Sequence, residues 1–118
     1  MTTEITAAQR AEWQRQLDEL TKEQEGKWVT IEVLDPTYGD QTEAERVPFA
    51  YAARDPKDDV VFVAVGGNSP RYPAVLRHMI WHPREVDIST GAGRTALKVT
   101  DVEGTTTLVS FYPPQSAS

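Results

Sequence analysis

From Trp28 to Tyr112 the apolar residues recur mainly at every second position, in short runs cut apart by turn-forming residues. A period of two is that of a strand with one buried face, and short runs at this spacing join as antiparallel neighbours. "WVTIEVL" sets Val29, Ile31 and Val33 against Thr30 and Glu32, and "DPTYGD" supplies a turn through Asp35-Pro36 and Gly39. "EAERVPFAYAARD" sets Val47, Phe49, Tyr51 and Ala53 against Arg46 and Arg54. Pro48 has no N–H for a ladder, so this strand is expected at an edge or with a bulge there. After the polar turn "DPKDD", the run "VVFVAV" is apolar on both faces and β-branched, which predicts a central strand.

"RYPAVLRHMIWHP" reads two ways. Pro73 can open a short helix at its first position, or it can precede a strand closed by Pro83. A strand over 75–81 is favoured, because Val, Ile and Trp suit one and Pro83 drives its predecessor out of helix. "VDIS" is a further strand and "TGAG" a turn. "TALKVTDVEGTTTLVSFYP" is a hairpin about Gly104. A two-residue Glu103-Gly104 loop would set Val102 opposite Thr105 and Val99 opposite Leu108. Leu97, Val99 and Leu108 would then share one face, and Val102, Val109 and Phe111 the other.

A helix precedes the strands. Thr6 and Gln9 form a capping-box pair, so the helix begins near Ala7, and Gly26 is a natural stop. Asp18 and Lys22 are spaced as an ion pair. The apolar stripe of Trp13, Leu17 and Leu20 is narrow, as in a helix docked on a body made elsewhere. The expected fold is α+β: one N-terminal helix packed outside a bent antiparallel sheet of five to seven short strands, an order compatible with a small barrel of the Sm-like or SH3-like kind. The expected organisation is a disordered start over 1–4, one domain over 5–112 and a disordered tail over 113–118.

Composition removes several activities. The chain of 118 residues has no cysteine, which excludes disulfides, zinc–thiolate and iron–sulfur sites and cysteine nucleophiles. "MTTEIT" lacks the basic start and apolar stretch of a signal peptide, and "VVFVAV" is far short of a membrane span, so a soluble cytoplasmic protein is the expectation. Net charge is −6, and residues 1–59, with 14 acids and 7 bases, hold all of the acidic excess. That balance disfavours nucleic acid and anionic membrane, since binding to phosphate requires clustered bases. Arg71, Arg77, Arg84 and Arg94 read as scattered, solvated residues.

The local chemistry is sparse. His78 and His82, the two histidines, share a spacing that could seat a metal, but zinc needs three or four ligands and no third histidine exists. The alternative is structural: a strand in which Leu76, His78 and Ile80 share one face and Arg77, Met79 and Trp81 the other. His78 would be partly buried, neutral and in need of a hydrogen-bond partner; His82 would be exposed and without a fixed one. "STGAGRTALKV" lacks the lysine and the helix of a phosphate loop, "DPKDD" lacks the alternation of a calcium loop, and no serine sits in G-x-S-x-G. Trp13 and Trp28 are expected in the core. Arg71, Tyr72, Arg77, Trp81 and Arg84 are the candidate partner-contact patch, because aromatic and arginine side chains anchor interfaces.

"EGKWVTIEVLDPTYGDQTEAERVPF", "HMIWHP" at 78–83 and "DVEGTTTL" at 101–108 together resemble a family of small uncharacterised bacterial proteins, a domain of unknown function. The resemblance spans Ile5 to Phe111 and rests on an E-G before the first strand, an H-x-I-x-x-P segment and a Gly-Thr-Thr-Thr turn. It implies histidine at the position of His78 but not of His82, which speaks against a two-histidine metal site, and it implies no activity. The reading is therefore a non-catalytic protein-interaction module whose partner is another protein or a second copy, with no cofactor and no metal. An enzyme or metal protein using His78 comes second, and an Sm-like nucleic-acid binder third. On this reading random RNA or DNA binds no tighter than about 10⁻⁵ M at physiological salt. Filter binding across a salt series checks this, and tight, salt-sensitive retention of RNA would bring the third reading forward.

Overall fold

The computed structural model describes residues 5–67 and 70–114; the start expected to be disordered, 1–4, and positions 115–118 of the expected tail lie outside the described residues. The capping box forms. The Thr6 hydroxyl accepts the Gln9 N–H at 3.1 Å, and the Gln9 side chain accepts the Thr6 N–H at 2.8 Å. Helix α1, Ala7–Glu23, follows and ends at the C-cap Gln24, whose N–H bonds the Leu20 carbonyl at 2.9 Å. Gly26, at φ 84°, makes the left-handed turn out of it. On its exposed side Arg15 pairs with Glu12 and, at 2.7 Å, with Glu19; these pairs replace the expected Asp18–Lys22 one.

The strands are β1 Trp28–Asp35, β2 Gly39–Asp55, β3 Val60–Gly66, β4 Val75–Trp81, β5 Pro83–Gly91, β6 Arg94–Asp101 and β7 Thr106–Tyr112. They form one antiparallel sheet in the order β4-β3-β2-β1-β7-β6-β5. The ambiguous segment is therefore a strand, with the bounds 75–81 expected for it. "VVFVAV" is an interior strand, between β2 and β4, with Val60, Val61, Val63 and Ala64 fully buried.

β2 is the bent member. Its first part pairs with β1 as far as Pro48, and its last part pairs with β3 from Phe49 onward. Register shifts against β1 and β3 insert an extra β2 residue at Glu43, again near Arg46 (φ 47°), and again at Ala50. Each bulge bends and twists the strand and moves its pattern by one residue. This corrects one sequence reading: Phe49 and Ala52 are the buried residues, where strict alternation would bury Tyr51 and Ala53. Of the two placements open to Pro48, the bulge is the one present, in an interior strand.

The hairpin register is also corrected. Leu97 faces Val109 and Val99 faces Thr107, one residue away from the pairing that a two-residue loop would give. The Asp101 carboxylate accepts the N–H groups of Glu103 (2.9 Å) and Thr105 (3.0 Å), and Gly104 turns at φ 89°. The loop is thus three residues long, Val102 to Gly104, with glycine in the left-handed position such loops require. Leu97, Val99, Val109 and Phe111 consequently share one buried face.

That face belongs to a single core. Val29, Ile31, Phe49, Val61, Val63, Val65, Ile80, Val86, Leu97, Val99, Val109 and Phe111 meet there, and Trp13, Leu17 and Leu20 of α1 join the same cluster. The helix packs on the sheet, as expected, but within its curl and not on its outside. The sheet does not close into a barrel, because β4 and β5 remain unpaired edges. Beyond the reach of β1, the free side of β2 meets the helix instead of a strand. The Thr21 hydroxyl accepts the Ala52 N–H at 3.0 Å and lies 2.9 Å from the carbonyls of both Ala52 and Leu17, either of which can take its proton. Leu17 is fully buried. Leu17→Ala should therefore destabilise the fold by about 2–5 kcal/mol, read by chemical denaturation; an unchanged midpoint would mean that the helix is not part of the core.

Candidate functional site

The two edges of the sheet are built differently. β5 starts on Pro83, carries a bulge at Arg84, and exposes Arg84, Glu85 and Asp87. Proline, bulges and charges are the features that keep an edge strand from pairing with other chains. β4 has no proline or acid and pairs with β3 without a bulge. Val75, Leu76, Met79 and Trp81 are 48, 67, 42 and 49% exposed. Alternation sets Arg77, Met79 and Trp81 on the outer face, where the Arg77 guanidinium lies 5.9 Å from the Phe62 ring. Leu76, His78 and Ile80 turn inward, toward Val65, Val63 and Val61.

Because the sheet curls without closing, a cleft runs along the inner side of β4. One part, about 300 Å³, is lined by Val33, Glu43, His78, Ile80, Val102 and Thr107 among others. A second part, about 320 Å³, is lined by Glu43, Ala44, Val47, Tyr72 and Leu76 among others. Glu43 borders both, and it is a bulged residue of β2: the extra residue re-aims its side chain into the cleft. His78 sits across from it, half-buried. Burial holds the His78 imidazole below its ordinary range, and the nearby Glu43 carboxylate opposes that only in part. No described residue hydrogen-bonds the ring, contrary to expectation, because the open cleft leaves it accessible.

His82 departs further from its expected role. It alone separates β4 from β5, at φ 54°, in the left-handed region that residues other than glycine seldom adopt. Its N–H donates to the Asp59 carbonyl at 2.9 Å, and its carbonyl accepts the Val102 N–H at 3.1 Å. Its ring is exposed but has a fixed partner, with Nδ1 3.2 Å from Asp59 Oδ2. The residue therefore ties the β2–β3 turn to the β6–β7 loop. His78 and His82 both line the cleft, yet among the described residues no three His, Asp or Glu side chains are grouped to hold a metal ion.

The five patch residues divide. Tyr72 is half-buried, edge-on to Trp28 at 5.9 Å, with Arg71 over its own ring, before β4 begins. Arg77 and Trp81 stand on the outer face of β4, and Arg84 lies past His82 on β5. Of the two tryptophans expected in the core, Trp13 is there, whereas Trp28 is half-buried outside it, against Tyr72. Arg94 packs with Arg46 on the Tyr112 ring, at 5.3 and 4.2 Å, so the arginines make no common basic patch. Among the described residues no helix is long and apolar enough to cross a membrane.

A model for a family of unknown function, DUF5335, matches residues 4–118. The chain belongs to that family. An uncharacterised protein of Aquifex aeolicus (strain VF5) is 32% identical to this DUF5335 chain over 108 residues, 91% of either protein. No solved structure matches it. The DUF5335 match supports the family resemblance read from the sequence and assigns no activity. The cleft residue that sequence reading missed is Glu43, one of 18 acids, marked out only by a bulge that depends on the pairing of β1 with β2.

Burial of His78 couples folding to pH. Its folded-state pKa lies below the ordinary 6.5, so the unfolded chain takes up the proton first as pH falls. Stability is complete above about pH 6.5 and declines as pH drops from there toward the lowered folded value. Melting temperature should fall between about pH 7 and pH 5, above most carboxylate titration, and His78→Gln should flatten that slope. An unaltered slope in the variant would assign the effect elsewhere.

Proposed function

We propose that the chain is a non-catalytic protein-interaction module whose docking element is the β4 edge and the cleft beside it. The observation that carries this is the unprotected edge itself: four exposed apolar residues within a seven-residue strand, at one end of a sheet whose other end is guarded. Alternate residues of such a strand turn N–H and C=O away from their one neighbour. An added strand satisfies them, and its side chains then enter pockets on either face. The cleft offers those pockets on the inner side, between Leu76, His78 and Ile80 and the opposing Glu43, Ala44 and Val47. We propose the cytoplasm as its setting.

The test is a random-peptide display selection on dilute, immobilised chain. It should return extended apolar sequences whose affinity falls at least about tenfold with Leu76→Lys, a change confined to an exposed position. Peptides that bind both forms alike, or a selection that enriches nothing, would overturn the reading.

A further inference from the structure

The β4 edge is nearly self-complementary. Two antiparallel copies related by a two-fold axis normal to the sheet keep facing side chains on one face, so only registers of even sum arise. Centring the axis on His78 overlaps all seven residues of Val75–Trp81. Val75 of each copy then faces Trp81 of the other, Leu76 faces Ile80, Arg77 faces Met79, and His78 faces His78. Val75–Trp81 is an aromatic–β-branched pair and Leu76–Ile80 an aliphatic one, both of kinds that stabilise adjoining strands. The Arg77 stem covers Met79, and no like fixed charges oppose. Shifting the axis to Arg77 sets two guanidiniums face to face, and shifting it to Met79 shortens the overlap to 77–81. Either change loses pairings that the central register has.

We infer that a second copy of this chain occupies the β4 edge, making a two-fold dimer whose sheets run together through paired β4 strands centred on His78. The inference rests on reading β4 as the docking edge. It joins the exposed Val75, Leu76 and Trp81 of each copy to apolar partners and lays the Arg77 stem over Met79. It also stops at two, because the other edge of each copy is β5, with its proline, bulge and outward charges. The imidazoles that meet on the axis face Glu43 from β2, and they share the cleft with Asp101 and Glu103. Burial already favours their neutral form, so neutral pH sets no imidazolium pair against itself.

The absence of cysteine makes the geometry directly testable. Facing residues of antiparallel strands have Cα atoms about 4.5–5.5 Å apart, within the range a disulfide spans. His78→Cys should therefore form an intermolecular disulfide under mild oxidation. Leu76→Cys, whose two copies sit four residues apart across the axis, about 13 Å along the strand, should not. Sedimentation of the unaltered chain should give twice the 13.2 kDa monomer mass, and Met79→Lys should raise the dissociation midpoint at least about tenfold. A monomer at all concentrations, or a disulfide formed as readily from position 76 as from 78, would overturn the inference. A monomer that still selects β4-dependent peptides would remove the second copy as occupant while leaving β4 as a docking edge; a dimer indifferent to Met79→Lys would lie on another surface and overturn the inference, while the peptide selection alone decides whether β4 docks other chains.

Discussion

One residue joins the two ends of the sheet. β4 and β5 are its opposite edges, yet only His82 lies between them. Laid flat, seven strands would hold their outer members about 29 Å apart, whereas a single residue reaches about 3.5 Å. The sheet has no choice but to curl until its edges meet at that point. The three bulges of β2 supply the bend, and the left-handed backbone of His82 completes the turn. Two main-chain bonds, to Asp59 and from Val102, hold it there. Such a backbone conformation costs of the order of 1 kcal/mol or more and persists where its surroundings fix it, as these do.

The same geometry explains why the cleft exists. Edges that converge at His82 diverge away from it, so the sheet opens along β4 instead of sealing against itself. The helix fills the other gap, beside β2, and leaves this one unfilled. One edge is thus left unguarded while the other carries a proline, a bulge and outward charges. An edge of that kind is a liability in a monomer, and a surface when something pairs with it.

Much of this architecture is legible in the residues, and the exceptions share a cause. The capping box, the Trp13–Leu17–Leu20 stripe, the strand at 75–81 and the interior character of "VVFVAV" all follow from local pattern, and all are present. The face assignments in β2 and the β6–β7 register do not follow. A bulge shifts alternation by one residue, and it is set by the pairing partner, not by the strand's own sequence. The Asp101 carboxylate lengthens a loop that Glu103-Gly104 alone suggests is shorter. The site divides along the same line: His78 is visible from its flanking apolar residues, whereas Glu43 becomes a cleft residue only through a bulge, and His82 becomes a tie only through Asp59 and Val102.

The contact between Thr21 and Ala52 has a bearing on how the chain comes apart. There a helix side chain stands in for a strand, so the N–H and carbonyl that Ala52 turns toward α1 have this partner only while the helix is docked. Partial opening that releases the helix and leaves the sheet intact would bare the Ala52 main chain and the core surface that Trp13, Leu17 and Leu20 had covered. Such sub-global openings occur more often than complete unfolding. The vulnerable species for misassembly is then the native sheet without its helix, and the hydroxyl of one threonine helps to keep it rare.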